Sequence, residues 1–241
     1  MNKYPIQILP IDRYGYHPFI EFRKGDAKMT ALIDTGASCS FLNAGLFERL
    51  GHHFDEKDAL GFGADFPVAS FLAEKVEIGG ALLKNILISK NDMEPINCSL
   101  ETMGLKRVDG IFGSDLLRQL NAKIDFSTQQ LFIGETATPF WNESEIAQPN
   151  ITISFDSQEL TMILDTGASQ TLLNDSAAER LFPGASWENN ESPSIGISPS
   201  DILENRTQAK LFFDASETAR TADFIALKMH NINAAYDLLG V

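Results

Sequence analysis

The feature that most constrains this chain is an internal repeat of twenty residues. Residues 31–50 read ALIDTGASCSFLNAGLFERL, and residues 162–181 read MILDTGASQTLLNDSAAERL. At a constant offset of 131, ten of these twenty positions are identical. A gapless match of this length indicates a tandem duplication, and two copies with so long a period favour two homologous lobes over a solenoid.

The length of the chain agrees with a two-lobe organisation. Its 241 residues accommodate two lobes of roughly 100–130 residues. Between the two copies, Pro139, Pro149 and several polar residues are typical of a linker. We therefore predict a first lobe over 1–134, a linker over 135–149 and a second lobe over 150–241.

Short apolar segments separated by turn residues predict a strand-rich chain. The expected strands include His17–Arg23 and Lys28–Asp34 around a turn at Gly25, Leu82–Ser89, Gln130–Ile133, Ile151–Phe155 and Glu159–Asp165, and the expected helices are Ala44–Leu50 and Ser114–Leu120. Many strands at short spacing with few helices favour small closed β-barrels. The sequence thus predicts an all-β fold with one barrel in each lobe.

Each copy of the motif Asp-Thr-Gly-Ala-Ser follows three apolar residues, so a strand is expected to deliver Asp34 or Asp165 to a buried turn. Glycine supplies backbone freedom where a Cβ would crowd the turn or the opposite copy, threonine offers a hydroxyl that can bond to the opposite turn, and alanine permits a close approach. The residues expected to support the two carboxylates are Thr35, Gly36, Ala37 and Ser38 in the first copy and Thr166, Gly167, Ala168 and Ser169 in the second.

Two facing carboxylates can carry out chemistry that one cannot. Like charges about 3 Å apart cannot both ionise, so the pair shares one proton and its two apparent pKa values separate. The ionised member can take a proton from a bridging water while the protonated member donates to a substrate carbonyl. This chemistry needs neither a metal nor a cofactor, and the four histidines show no ligand spacing.

These motifs resemble those of the retropepsin-like aspartic peptidases, the group that contains the retroviral proteases. The segment Val108–Leu117, VDGIFGSDLL, resembles the second hallmark of that family, and Ala235–Gly240, AYDLLG, resembles it more weakly in the second lobe. The resemblance implies two retropepsin-like lobes related by a pseudo-twofold axis. It also implies an aspartic endopeptidase with Asp34 and Asp165 as the catalytic dyad, acting on an extended peptide or protein substrate.

The family also has flaps, which are β-hairpins that close over the substrate. In the first lobe the corresponding segment contains Gly61, Phe62 and Gly63, and in the second lobe we place it near Ile195 and Gly196. Glycines beside aromatic residues suit a mobile hairpin that excludes water.

Two departures from the family pattern are expected to matter. Alanine follows Asp-Thr-Gly in both copies, where pepsin-like enzymes carry a hydroxyl that depresses the pKa of the ionised carboxylate, so we expect activity at milder acidity. The second hallmark has Asp237 where the first has Gly110, and the sequence stops at Val241, so we expect either a C-terminally shortened second lobe or a truncated form of the sequence.

Composition argues against several other classes of function. A net charge of −14 disfavours nucleic acid and anionic membranes as partners. The N-terminus has no signal-peptide pattern and no run is long enough to span a bilayer, which favours a cytoplasmic location. Cys39 and Cys98 are expected to be free thiols, although spacing alone leaves one disulfide open.

Two alternatives to the intramolecular peptidase remain open at this stage. The chain could keep the fold as a non-catalytic peptide-binding or scaffold protein, which the shortened second lobe would favour. Alternatively, the first lobes of two chains could form the dyad in a homodimer, with the second lobe as an accessory. The preferred prediction is a monomer whose two lobes form a pseudo-dimer.

Overall fold

The computed structural model describes residues 2–10, 16–46, 54–61, 64–73, 76–78, 81–84, 86–134, 148–155, 158–168, 171–181, 183, 188–189, 204–213, 220–229 and 237–240. The strands are β1 (Asn2–Pro5), β2 (Gln7–Pro10), β3 (Tyr16–Lys24), β4 (Ala27–Ile33), β5 (Phe41–Asn43), β6 (Phe54–Gly61), β7 (Ala64–Ala73), β8 (Val76–Ile78), β9 (Ala81–Leu83), β10 (Ile86–Asn91), β11 (Gly110–Phe112), β12 (Lys123–Asp125), β13 (Gln130–Ile133), β14 (Asn150–Phe155), β15 (Gln158–Asp165), β16 (Thr171–Asn174), β17 (Glu188–Asn189), β18 (Glu204–Phe213), β19 (Arg220–Met229) and β20 (Asp237–Gly240). The helices α1 (Glu94–Thr102), α2 (Ser114–Gln119) and α3 (Asp175–Leu181) are short. The predicted all-β fold class is confirmed.

The strands of the first half form one large sheet and one small sheet. The large sheet has the order β6-β7-β10-β5-β11-β4-β3-β8-β9, with β2 paired to β3. The small sheet has the order β1-β13-β12, so the first strand lies beside the strands that follow α2.

The strand order of the second half repeats that of the first. Its sheet has the order β17-β18-β19-β16-β20-β15-β14, and a further pairing links β14 back to β18. Position by position this order matches β6-β7-β10-β5-β11-β4-β3. The parallel pairs also match, because β4–β11 corresponds to β15–β20 and β10–β5 corresponds to β16–β19. The repeat in the sequence therefore extends to the topology.

The β3–β4 hairpin brings the first motif to the middle of the large sheet. Gly25 occupies its turn with a φ of +59°, a conformation that favours glycine. The end of β4 is buried on both faces, because Ala31 and Ile33 lie in one hydrophobic cluster and Leu32 lies in another. Asp34 follows directly, so the strand ends at the carboxylate.

Strand β11, which belongs to the second hallmark, packs against β5 at very close range. A Cβ built on Gly110 would overlap the carbonyl oxygen of Phe41, so this position requires glycine. Gly110 pairs with Ala31, and Asp237 pairs with Met162 at the corresponding place in the second half. The register therefore aligns Asp237 with Gly110, as the sequence comparison does.

Two hydrophobic clusters support the first half. The larger cluster contains Phe22 and Phe112, whose ring centroids are 4.9 Å apart. The smaller cluster joins α1 to the sheet, because Leu100 of the helix packs with Leu32 and Ile111. Both clusters border strands that lead to the first motif, so the position of Asp34 depends on each of them.

Helix α1 was not expected from the sequence, although the sequence contains signals for it. Pro95 lies in its first turn, and Gly104 follows its end with a φ of +75°. The segment between β10 and β11 that carries α1 covers 92–109, whereas the corresponding segment of the second half covers 230–236. The longer connection is thus a feature of the first half.

Other local predictions were adjusted. The predicted strand Leu82–Ser89 is two strands, because β9 turns back along β8 whereas β10 pairs with β5 and β7. The helix expected over Ala44–Leu50 is helical at 44–46, and 47–50 lie outside the described residues. Among the helices of the described ranges, none combines the length and apolar character that crossing a membrane requires.

Candidate active site

Each Asp-Thr-Gly turn follows a strand that pairs in parallel with a hallmark strand. The backbone N–H of Asp34 donates to the carbonyl of Phe112 at 3.0 Å, which fixes the first turn to β11. In the second half, Asp165 is opposite Gly240 in the β15–β20 register. The same strand arrangement thus presents both carboxylates.

The two turns are joined by reciprocal hydrogen bonds between threonines. The N–H of Thr35 donates to the Thr166 hydroxyl at 3.1 Å, and the N–H of Thr166 donates to the Thr35 hydroxyl at 3.0 Å. The Thr35 hydroxyl donates onward to the Leu164 carbonyl at 2.6 Å, and the Thr166 hydroxyl donates to the Ile33 carbonyl at 2.7 Å. Ile33 and Leu164 occupy the same repeat position, so the contact is pseudosymmetric.

The two glycines allow the carboxylates to meet. A Cβ built on Gly36 would overlap the carboxylate of Asp165, and a Cβ on Gly167 would overlap the carboxylate of Asp34. Each glycine therefore lies directly against the carboxylate of the opposite copy. Both carboxylates therefore lie at the contact between the two turns.

The two carboxylates have different surroundings. The Oδ1 atom of Asp34 accepts the N–H groups of Gly36 and Ala37, both at 2.9 Å, and Asp34 is half-buried. The Oδ1 atom of Asp165 accepts the N–H of Gly167 at 2.7 Å, and Asp165 is buried. Burial raises the pKa of Asp165 well above its ordinary value, and the charge and hydrogen bonding of Asp34 raise this pKa further.

The first residue of helix α2, Ser114, is hydrogen-bonded to the first turn. The Ser114 hydroxyl donates to the Thr35 carbonyl at 2.5 Å, and the Ser114 N–H donates to the Ala37 carbonyl at 2.8 Å. The Ser40 hydroxyl accepts the N–H of Gly113 at 2.9 Å and donates to Asp115 at 2.7 Å. Polar groups within the first half thus fix the backbone that follows Asp34.

Two buried side chains that sequence reasoning missed also contact the turns. His17 of β3 lies with its Nδ1 atom 3.2 Å from the carbonyl of Thr166, and Gln148 donates from Nε2 to the carbonyl of Gly36 at 3.3 Å. The available signal was weak, because the two positions differ in residue type. They share the repeat offset of 131, and each precedes a proline.

The remaining residues of the predicted site fall into two groups. Ala37 is buried and Ala168 half-buried, and the Ser38 hydroxyl contacts the sulfur of Cys39 at 3.8 Å. Gly61 ends β6 at the tip of the β6–β7 hairpin. Those that lie outside the described residues are Phe62, Gly63, Ser169, Ile195 and Gly196. The roles assigned to all of these residues stay predictions.

In the part of the chain that the structure describes, no group of three or more His, Cys, Asp or Glu side chains could hold a metal ion. Cys39 is buried, Cys98 is exposed, and both are free thiols.

One family model and one relative are similar to parts of this chain. Residues 20–116 match a family model described as aspartyl protease. The chain is also 28% identical over 134 residues to DNA damage-inducible protein 1 of Phaeosphaeria nodorum. That alignment covers 53% of this chain and 27% of the relative, so the chain spans about a quarter of the protein that it matches. Both findings support the aspartic protease family for the matched region.

Proposed function

We propose that this chain is an aspartic endopeptidase whose single active site takes Asp34 from one lobe and Asp165 from the other. The observation that carries the proposal is the mutual approach of the two turns. Gly36 lies against the carboxylate of Asp165, and Gly167 lies against that of Asp34. Such a pair can share one proton and activate a water molecule between its members.

The unequal surroundings of the carboxylates suggest their roles. Asp165 has the raised pKa and enters the reaction protonated, whereas Asp34, which accepts the N–H groups of Gly36 and Ala37, acts as the base. Asp34 takes a proton from water as the water oxygen attacks the scissile carbonyl, and Asp165 gives its proton to the carbonyl oxygen. The resulting diol breaks its C–N bond when Asp34 returns the proton to the leaving nitrogen and Asp165 recovers one from a diol hydroxyl.

An extended peptide bound between the lobes is the proposed substrate. The β6–β7 hairpin, with Gly61 near its tip, is the proposed flap of the first lobe. In the second lobe, Ile195 and Gly196 fall between β17 and β18, the counterparts of β6 and β7. This correspondence supports the second proposed flap.

The pH dependence of activity is expected to reflect the alanines of the two motifs. Neither Ala37 nor Ala168 carries a side-chain hydroxyl that could donate to a carboxylate, so no hydroxyl at these positions lowers the pKa of the pair. We expect a pH–rate maximum in mildly acidic solution. A maximum below about pH 3 would contradict this expectation.

The proposal is tested with peptide libraries and denatured protein substrates, with cleavage mapped by mass spectrometry. Asp34→Asn and Asp165→Asn should each reduce kcat by about 10³-fold or more, because each removes one member of the proton-sharing pair. Asp92→Asn, at an exposed aspartate of the β10–α1 connection, is the matched control and should leave kcat unchanged. Hydrolysis that survives either active-site substitution would contradict the two-lobe dyad.

The same variants separate the alternatives. If the first lobes of two chains formed the dyad, Asp165→Asn alone would keep full activity. If the chain were a binding or scaffold protein, the wild type would bind peptides without cleaving them. Under the proposed arrangement, a mixture of the Asp34→Asn and Asp165→Asn proteins also remains inactive, because each site lies within one chain.

A further inference from the structure

Two side chains related by the repeat reach across the contact between the halves. His17 and Gln148 are separated by the repeat offset of 131 and are both buried. The Nδ1 atom of His17 lies 3.2 Å from the Thr166 carbonyl, and Nε2 of Gln148 donates to the Gly36 carbonyl at 3.3 Å. Each half thus contacts the backbone of the opposite Asp-Thr-Gly turn.

The direction of the histidine contact follows from its acceptor. A backbone carbonyl can only accept, so Nδ1 of His17 carries the proton. Each of the two residues also precedes a proline, Pro18 or Pro149, which disfavours the helical backbone conformation for the residue before it.

The structure also indicates why the second turn needs a donor from the first half. In the first half, the Thr35 carbonyl accepts the Ser114 hydroxyl at 2.5 Å. The strand registers align Phe112 with Leu239, so the counterpart of Ser114 is Val241, which has no hydroxyl. The first half thus supplies, through its own histidine, the hydrogen bond to Thr166 that a serine supplies at Thr35.

We propose that His17 and Gln148 are positioning residues of the active site, which hold the two Asp-Thr-Gly turns in register through hydrogen bonds across the contact between the halves. This inference rests on the proposed function. It adds to the threonine contact a second pair of links, one of which compensates for an element that the second half does not share. His17 is expected to contribute more, because its acceptor belongs to the turn without the serine.

Three substitutions at these sites separate hydrogen bonding from packing. His17→Leu removes the donor, whereas His17→Asn retains a nitrogen donor at the same distance from Cβ as Nδ1. Gln148→Met keeps the length of the side chain and removes its donor. Tyr16→Ala, at the exposed neighbour of His17 on β3, is the matched control. Circular dichroism checks that each protein is folded.

We expect His17→Leu to lower kcat about tenfold or more with little change in KM, because a small misplacement of catalytic groups has effects of this size. Gln148→Met should have a smaller effect in the same direction. His17→Asn should restore kcat to within about threefold of the wild type. A full loss in the asparagine variant would assign the effect to packing and overturn the proposal, as would wild-type kcat in the leucine variant.

A second readout does not depend on hydrolysis. Titration of ¹³C-labelled aspartate carboxyls by NMR follows Asp165, whose raised pKa depends on burial and on its closeness to Asp34. His17→Leu should lower this pKa by about one unit as the carboxylates separate, whereas His17→Asn should not. If the wild type cleaves nothing, the proposed function fails while this titration still decides the role of His17. If His17→Leu does not fold, the comparison of Gln148→Met with wild type decides it, and an unchanged titration overturns the proposal.

Discussion

Single hydroxyl groups at the centre of the molecule each serve two partners. The Thr35 hydroxyl donates to the Leu164 carbonyl and accepts from the Thr166 N–H, and the Thr166 hydroxyl makes the converse pair of contacts. These groups are buried. A buried polar atom that loses its partner lowers the free energy of unfolding by more than a typical hydrogen bond contributes to it. Stability and the geometry of the site therefore depend on the same atoms.

Replacing Thr35 with valine tests this dependence. The variant keeps the shape of the side chain but leaves the Leu164 carbonyl and the Thr166 N–H without this hydroxyl, so we expect a loss of about 2–4 kcal/mol in the free energy of unfolding. Urea denaturation measures the change. Thr35→Ser retains the hydroxyl and should lose far less, and equal stability of the two variants would contradict the interpretation.

Gly36→Ala tests the closeness of the two carboxylates. The added Cβ would overlap the carboxylate of Asp165, so the turns must separate, and we expect activity to fall by about 10²-fold or more. Gly45→Ala is the control, because its Cβ would meet only ordinary contacts. Peptide-cleavage rates and thermal unfolding report both changes. An alanine at position 36 that leaves activity intact would exclude a shared site.

At the scale of secondary-structure elements, α1 lies on a connection that is longer in the first half than in the second. It lies between β10 and β11 and packs into the smaller hydrophobic cluster beside the first motif. Buried Asn97 of this helix donates to the Val108 carbonyl at 3.1 Å and accepts the Val108 N–H at 2.7 Å. The helix therefore fixes the backbone that leads into β11.

Replacing Asn97 with leucine should uncouple α1 from that backbone. Both polar groups of Val108 would lose their side-chain partner in a buried position, so we expect a loss of about 2–4 kcal/mol in the free energy of unfolding. Urea denaturation gives the value. Arg107→Ala is the control from the same segment, since its ion pairs with Glu94 and Glu101 are exposed and should contribute no measurable stability. Equal effects would refute the special role of Asn97.

At the scale of the whole molecule, the contact between the halves couples stability to pH. Burial and the nearby Asp34 raise the pKa of Asp165 in the folded protein, whereas the pKa of an aspartate in the unfolded chain is about 3.9. The folded state therefore holds this proton more tightly than the unfolded state does. The stabilisation from protonated Asp165 is complete below the unfolded pKa and is lost as pH rises towards the folded pKa.

Asp165→Asn should remove this dependence. Asparagine resembles the protonated acid in shape and carries no charge, so the variant should gain stability relative to the wild type as pH rises from 4 towards 7. Urea denaturation of both proteins across this range gives the difference in the free energy of unfolding at each pH. If the stability of the variant relative to the wild type stays constant or falls with pH, folding does not raise the pKa of Asp165.

The sequence by itself determined the all-β class, the repeat and the strands that lead into each motif, because these features depend on local residue type and spacing. The hairpin around Gly25 and the alignment of Asp237 with Gly110 also followed from it. The family model described as aspartyl protease matches the region that includes Asp34. The catalytic roles of Asp34 and Asp165 stay predictions.

Only the tertiary structure decided how the two turns contact each other. The partners of Thr35 and Thr166, the opposition of each glycine to the other carboxylate, and the contacts of His17 and Gln148 join residues more than one hundred positions apart. The repeated motif predicted that the threonines could bond to the opposite turn and that the carboxylates would face each other, but local patterns do not specify which atoms meet or at what distance. The unequal surroundings of Asp34 and Asp165 likewise depend on burial and on charges nearby in space, which identical motifs in the sequence cannot distinguish.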